Sequence, residues 1–389
     1  MRNFGYSNFK VTVDGKDITE GVTIAEVYLD ITNPCWSAKV SLLDSVDLIN
    51  TLPMKKNAKV MITIETSNKF LQKESKDFNF VLYKIGDKVH FTQHSIGYTL
   101  YLAMEPMLKN ITKRFSRSLV GEPSQLIADM FGEVFSGYTC TTDGSNGQVN
   151  FMSSANSAFN TFGQLLKSCH KNNVADYLLV QTSNTEFAVK SIADMYDDTV
   201  DIKFKYLPAA VGESLHYPYL INKYEVEHYD GALNLASGFY GNNVSTYDYT
   251  NKKWTNKTYT NTEDKQKLSD GEDYTEDTSA HAIFQPMHHN IMDDGDSELN
   301  DYNTWLPSRR SSIFKLEQEK LLIQTSGNME FADLLGKSIM VEIPKQDYFD
   351  RSQMDPKRSG RHLVTAIGFI LNKQMFVANL ELVKREFEG

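Results

Sequence analysis

The chain has 389 residues, 41% hydrophobic and 23% charged, which is enough apolar material for several domains and a substantial core. No apolar run approaches the ~18–20 residues needed to span a bilayer, and the three scattered cysteines, Cys35, Cys140 and Cys169, make neither a disulfide framework nor a zinc set. The net charge of −10 lies in one segment: Glu263 to Asp301 holds 12 acids and 2 lysines, leaving 38 of each sign elsewhere, so no basic face suited to phosphate contacts stands out.

The start, MRNFGYSNFKVTV, lacks an apolar leader region, so a secretory signal is not expected. Phe9–Val13 alternates and then meets a hairpin turn at Asp14-Gly15. Period-two patterns follow at Val27, Leu29 and Ile31, at Ala38, Val40 and Leu42, and at Val60, Ile62 and Ile64. They continue at Phe78, Phe80 and Leu82 and at Tyr98, Leu100 and Leu102. Short strands separated by turn signals predict a barrel or sandwich over residues 1–112.

From Lys113 the pattern becomes helical. GEPSQLIADMFGEVF starts a helix at Pro123, with Leu126, Ile127 and Met130 on one face. SAFNTFGQLLKSCHKNN sets Phe159, Phe162, Leu165, Leu166 and Cys169 on a second stripe. Two strands, DYLLVQT and EFAVKSI, turn at Asn184. Residues 113–215 therefore read as a small α/β domain.

Strand character returns from Tyr219, and a polar tract, 236–310, reads as an acidic insertion with some strands. Residues 311–389 are β again. SSIFKLEQEKLLIQTSG reads as helix passing into strand, KSIMVEIP alternates Ile339, Val341 and Ile343, and a long hairpin turns at Asn372-Lys373. The fold class is mainly β with α+β. The layout, β first and β last, hints at two β domains of one kind: 1–112, and 216–235 with 311–389. No repeat is evident in the residues themselves.

The densest cluster of potential metal ligands is His288–Asp301, HHNIMDDGDSELND. Aligning Gly295 to the calcium-loop glycine puts Met292 at a ligand position and Asp301 where a bidentate glutamate belongs. The adjacent His288 and His289 point apart, unlike the four-residue spacing of zinc helices. A solvated acidic loop is the reading that fits. Cys169-His170 suggests a thiol and its base, but Cys169 lies on the apolar stripe and reads as a core cysteine. Phosphate-loop, dinucleotide-loop and nucleophile-elbow motifs are absent. The sequence thus offers no catalytic, cofactor-binding or metal residue, and no cofactor is expected. Met104, Met107 and Tyr240–Tyr259 read as a recognition surface.

The order of features resembles the central baseplate hub protein of contractile-tailed bacteriophages. The stretches that carry the resemblance are 22–45, 120–134, 162–181, 222–254 and 360–387. It implies two antiparallel β-barrel tube domains per subunit, arranged so that a homotrimer presents six similar domains and joins a threefold spike to a sixfold tail tube. Residues 1–112 form one tube domain on this reading, residues 216–235 and 311–389 the other, with the α/β domain outside the ring. The implied partners are further copies of the chain, a spike protein, tail-tube or tube-initiator proteins, a tape measure protein and baseplate wedge proteins. DNA passes only in transit, no membrane is entered, and the place is the virion tail baseplate after assembly in the host cytoplasm. The chain ends without β-helix repeats, so a separate spike is expected. The alternatives are the hub of a related bacterial injection system, a muralytic hydrolase using carboxylates, and a carbohydrate-binding β protein.

Overall fold

The structure is a computed structural model and describes residues 6–51, 57–67, 74–92, 95–171, 174–207, 217–227, 241–248, 252–260, 282–287, 309–310, 312–316, 320–345 and 353–384. Apolar–polar alternation places the first strands. β1 (Tyr6–Val13) buries Phe9, Val11 and Val13, then turns through Asp14 and Gly15 into β2 (Lys16–Asp17). Both turn residues have positive φ, 47° and 79°, as a two-residue hairpin requires and as Asp and Gly tolerate. β3 (Val22–Asp30), β4 (Ser37–Asp44), α1 (Leu48–Thr51), β5 (Lys59–Ser67), β6 (Glu74–Thr92) and β7 (Ser95–Ala103) follow. The apolar residues expected to face inward on each of these strands are all buried.

Next come α2 (Glu105–Thr112), β8 (Phe115–Gly121), α3 (Pro123–Val134), β9 (Thr139–Thr142), β10 (Val149–Asn156), α4 (Ala158–Leu166), β11 (Tyr177–Gln181), β12 (Glu186–Ser191), α5 (Ile192–Asp197) and β13 (Thr199–Tyr206). The sequence did not announce α2, an eight-residue helix with Pro106 in its first turn and a single buried residue. α3 begins at Pro123 as expected, but its buried face is Ile127, Met130 and Phe131, with Leu126 only half-buried. α3 and α4 pack their aromatic residues on the sheet β11-β12-β9, and β8 pairs with β10. Three side-chain bridges fix this α/β unit to the first strands. Trp36 N–H donates to Gln181 Oε1 at 2.9 Å. Asn184 Nδ2 donates to the Asp77 carbonyl at 2.6 Å, and Asn79 N–H donates to Asn184 Oδ1 at 3.2 Å.

The remaining strands are β14 (Leu220–Val226), β15 (Gly241–Asp248), β16 (Lys253–Thr260), β17 (Ala282–Met287), β18 (Leu321–Ser326), β19 (Ser338–Glu342), β20 (Gly360–Leu371) and β21 (Phe376–Lys384). Helical residues 309–310 and 312–315 precede β18, so this region does run from helix into strand. The β20–β21 hairpin turns at residues 372–375. β15, β16 and β17 form a separate three-stranded sheet in the polar insertion.

Among the described residues, one 13-stranded sheet runs β19-β13-β14-β18-β21-β20-β3-β4-β7-β6-β5-β1-β2, with β19 also paired to β20. That extra pairing closes six strands, β19-β13-β14-β18-β21-β20, into a β-barrel. The expectation of a purely antiparallel barrel needs correction: β13 runs parallel to both β14 and β19. β13 enters from α5, and 13 residues separate it from β14, enough for the crossover that parallel neighbours need. Residues 199–206, within the 113–215 stretch, thereby join the large sheet.

The other six long strands lie in the order β1-β5-β6-β7-β4-β3. This is the order of the barrel, strand for strand and in chain sequence: β13, β14, β18, β19, β20 and β21 stand for β1, β3, β4, β5, β6 and β7. Only β13 is reversed. No ladder joins β1 to β3 among the described residues; the turn Thr19–Gly21 lies between, with Val11 N–H donating to Thr19 Oγ1 at 2.9 Å. The correspondence reaches single residues. β6 is bulged against β7 between Leu82 and Lys84, and β20 against β21 between Val364 and Ala366. Two residues beyond each bulge the sequence is the same: Ile85-Gly86 and Ile367-Gly368. β3 is bulged against β4 between Val22 and Ile24, and β14 against β18 between Ile221 and Lys223. Again a dipeptide recurs after the bulge: Glu26-Val27 and Glu225-Val226. A bulge bends a strand and resets its register, so matched bulges mark matched backbones.

The core runs through both halves: Phe78 lies 6.5 Å from Phe369, and Phe369 lies 5.8 Å from Phe376. The Phe376 ring is seated on Gly327, where an added Cβ would lie 2.2 Å from the ring, while Gly327 N–H donates to the Phe376 carbonyl at 2.9 Å. Gly327→Ala is expected to cost about 1–3 kcal/mol through overpacking, read as a fall in the urea midpoint at unchanged m-value. A neutral result would mean that the ring moves aside freely.

Candidate assembly surface

Where β20 meets β3, the two six-strand sets become one sheet, antiparallel from Ala366 opposite Asp30 to Leu371 opposite Ala25. Alternation decides what each face carries. Inward residues are apolar and buried; the outward row crosses the junction with Lys223, Gln324, Asn379, Gly368, Tyr28 and Ser37 on successive strands.

The charges on this face are matched. Tyr28 Oη donates to Glu26 Oε2 at 2.5 Å, and Lys39 Nζ lies 5.6 Å from the Tyr28 ring centroid. Burial and the Glu26 carboxylate push the Tyr28 hydroxyl well above the usual phenol range. Lys320 pairs with Glu381 at 3.0 Å and Lys223 with Glu225 at 3.6 Å. Gln324 Nε2 donates to Asn379 Oδ1 at 3.1 Å. A shallow depression of about 350 Å³ lies over β14, β18, β21 and β20, lined among others by Lys223, Glu225, Gln324, Asn379, Glu381 and Gly368. Such a surface suits contact; a lysine held by a carboxylate is a poor site for capturing an anion.

Past Gly86 the outward face turns apolar. Val89 and Phe91, at 50% and 65% exposure, stand on the last third of β6, and Leu43 lies opposite Gly97, at 45%. An added Cβ on Gly97 would come within 2.6 Å of the Phe91 ring, so the ring covers that glycine. Lys84 Nζ lies 4.6 Å from the Tyr101 centroid, and the Tyr101 hydroxyl donates to Asp87.

The residues singled out from sequence fall elsewhere. His288–Asp301 lies outside the described residues. Cys169 is fully buried, its thiol bonded to the Leu165 carbonyl and pushed up to about 12 by burial, so it is no nucleophile. His170 is instead bonded to the Ser168 carbonyl. Among the described residues, no three His, Cys, Asp or Glu side chains gather as metal ligands. The Met104–Met107 surface needs correction: Met104 is 1% exposed beneath the start of α2, because the turn into the helix folds it inward. Met107 is exposed. In the Tyr-rich segment, the Tyr247 and Trp254 rings meet at a tilt, centroids 4.9 Å apart, across β15 and β16, with Trp254 exposed. The junction face was missed by sequence reading. The dipeptides Ile-Gly and Glu-Val were its clearest signal, and they are too short to align without register.

No family model and no curated protein matches the chain. Solved structures do. The prophage MuSo2 43 kDa tail protein from Shewanella oneidensis superposes with a TM-score of 0.58 at 9% identity, over 97% of this chain and 98% of that one. The tail protein from Neisseria meningitidis MC58 gives 0.57 at 9% identity, over 98% and 97%. A chain of the Francisella PdpA-VgrG complex gives 0.51 at 10% identity, with 98% of this chain covering 53% of that one. The fold is therefore that of phage tail proteins, end to end.

Proposed function

We propose that this chain is a structural, non-enzymatic tail protein: the homotrimeric hub of a baseplate, adapting a threefold spike to a sixfold tail tube. One observation carries the reading. Each chain holds two six-strand sets of the same strand order, so three chains place six equivalent sets around an axis. A heterologous contact that closes after three copies gives a ring with that near-sixfold lining. The tail-protein fold supports it.

On this reading residues 1–112 form one tube domain, residues 216–235 and 311–389 together with β13 the other, and the rest of 113–215 lies outside the ring. The set β1-β5-β6-β7-β4-β3 acts as a second barrel. The junction face lines the lumen, where paired lysines and glutamates let DNA slide without gripping it. Spike, tube, tape measure and wedge proteins are the partners, and the virion tail is the location. The likeness to a chain of the PdpA-VgrG complex favours one second reading, the hub of a bacterial injection machine. No observation favours a hydrolase.

Light scattering on the purified 44.3 kDa chain is expected to give about three times that mass. Negative-stain images should show a ring with a central hole. A monomer at all concentrations, or a closed dimer, would overturn the proposal.

A further inference from the structure

One pair of strands in the α/β unit is short of neighbours. β8 and β10 form a two-stranded ribbon that joins no other sheet among the described residues. Two strands alone bury little, and an outer edge offers backbone donors and acceptors to any extended chain that meets it. The inner face of the ribbon is accounted for. Leu119 and Val149 are buried, Arg117 donates to the Glu133 carboxylate on α3 at 2.6 and 2.8 Å, and Ser153 Oγ lies 3.1 Å from Thr161 Oγ1 on α4. The outer face is bare: Ser118, Val120, Asn150 and Met152 are all exposed, Val120 at 65% and Met152 at 70%.

The two edges differ. β10 carries an extra residue between Ser153 and Asn156, with Ala155 at a φ of 50°, and such a bulge twists an edge away from an incoming strand. β8 is regular against β10 from Arg117 to Gly121. Ser116, Arg117 and Ser118 are exposed in succession, so both faces of the strand, and the edge between them, meet solvent. The usual guards of an edge are missing: β8 has no proline and no lysine, and its single charge, Arg117, is held by Glu133.

We propose that the outer edge of β8 accepts an extended, uncharged strand of another tail protein, with an apolar side chain set beside Val120. The inference rests on the ring reading above, which also selects the occupant. Pairing β8 with β8 of a second copy is a twofold contact, and a closed threefold ring has no twofold axis. Pairing β8 with β10 of the next copy would use the bulged edge. The occupant is therefore not a copy of this chain. Backbone hydrogen bonds supply its affinity and small or apolar side chains its preference, because β8 presents no charge that is not already held.

Amide hydrogen exchange on the purified chain and on assembled tails tests this. Residues 115–121 are expected to exchange about tenfold or more slowly in the tail than in the purified chain, with β11, β12 and β9 unchanged. Ser118→Lys with Val120→Lys charges the edge without touching the inner face. The pair should keep circular dichroism, thermal midpoint and the trimer, and lower incorporation into tails by about tenfold, while Val120→Ile incorporates normally. Protection of 115–121 already present in the purified trimer would mean that a second copy fills the edge, and would overturn the proposal. A chain built into tails with these amides still fast, or with the lysine pair tolerated, would overturn it and leave the ring standing. A wild-type chain that neither trimerises nor enters tails would refute both.

Discussion

Phe131→Ala is expected to remove about 3–5 kcal/mol from the stability of the α/β unit, the largest effect of any single truncation considered for this chain. The Phe131 ring is fully buried, with centroids 4.4 Å from Phe187, 4.9 Å from Phe135 and 5.7 Å from Phe162. It is the hub of the aromatic core: it sits on α3, touches α4 through Phe162 and the three-stranded sheet through Phe187. Truncation loses the transfer energy of the ring and leaves a cavity that three other rigid rings collapse into poorly. Phe131→Leu should cost less, because most of the volume stays. Urea denaturation measures the loss, and hydrogen exchange should localise it to residues 123–191, with the β20–β21 ladder keeping its protection. A loss below about 1 kcal/mol would mean that this cluster is not a close-packed core.

The second large effect is acid sensitivity centred on His362. Its side chain is 2% exposed in β20, with Nδ1 3.1 Å from the Gly360 carbonyl. Burial, aided by the nearby Lys384 charge, lowers its pKa to about 4 against 6.5 for the free side chain. Between those values the unfolded chain binds a proton that the folded chain does not. Stability therefore falls as pH drops through that window, by about 3 kcal/mol in total, and is flat in this group below pH 4. His170 is lowered too, by its own partial burial, so a comparison of variants isolates His362. The structural repeat names the variant: His362 occupies the position of Phe80 in β6, and both are buried. His362→Phe should fold, keep the barrel and lose most of the slope of stability against pH between 4.5 and 6.5 (~2 units). An unchanged slope would show that His362 is protonated in the folded chain.

Much of this molecule was legible in its residues. Period-two burial fixed β1, β3 to β7 and β19 to β21, because a strand with one buried face must alternate and a one-residue slip would turn its apolar side to water. Pro123 announced the start of α3, and Cys169 on an apolar stripe announced a buried thiol. Other features depended on contacts between distant residues. The parallel course of β13 was set by where α5 delivers the chain, the closure of the barrel by β19 meeting β20, and the junction face by β3 meeting β20. A backbone donor has no residue-specific label for its partner, so pairing partners are chosen by three-dimensional packing and leave no local trace. The internal repeat was hidden for the same reason. Its bulges, order and registers constrain backbone and burial, which many side chains satisfy, so two dipeptides are the main sequence trace of a duplication that the tertiary structure shows strand by strand.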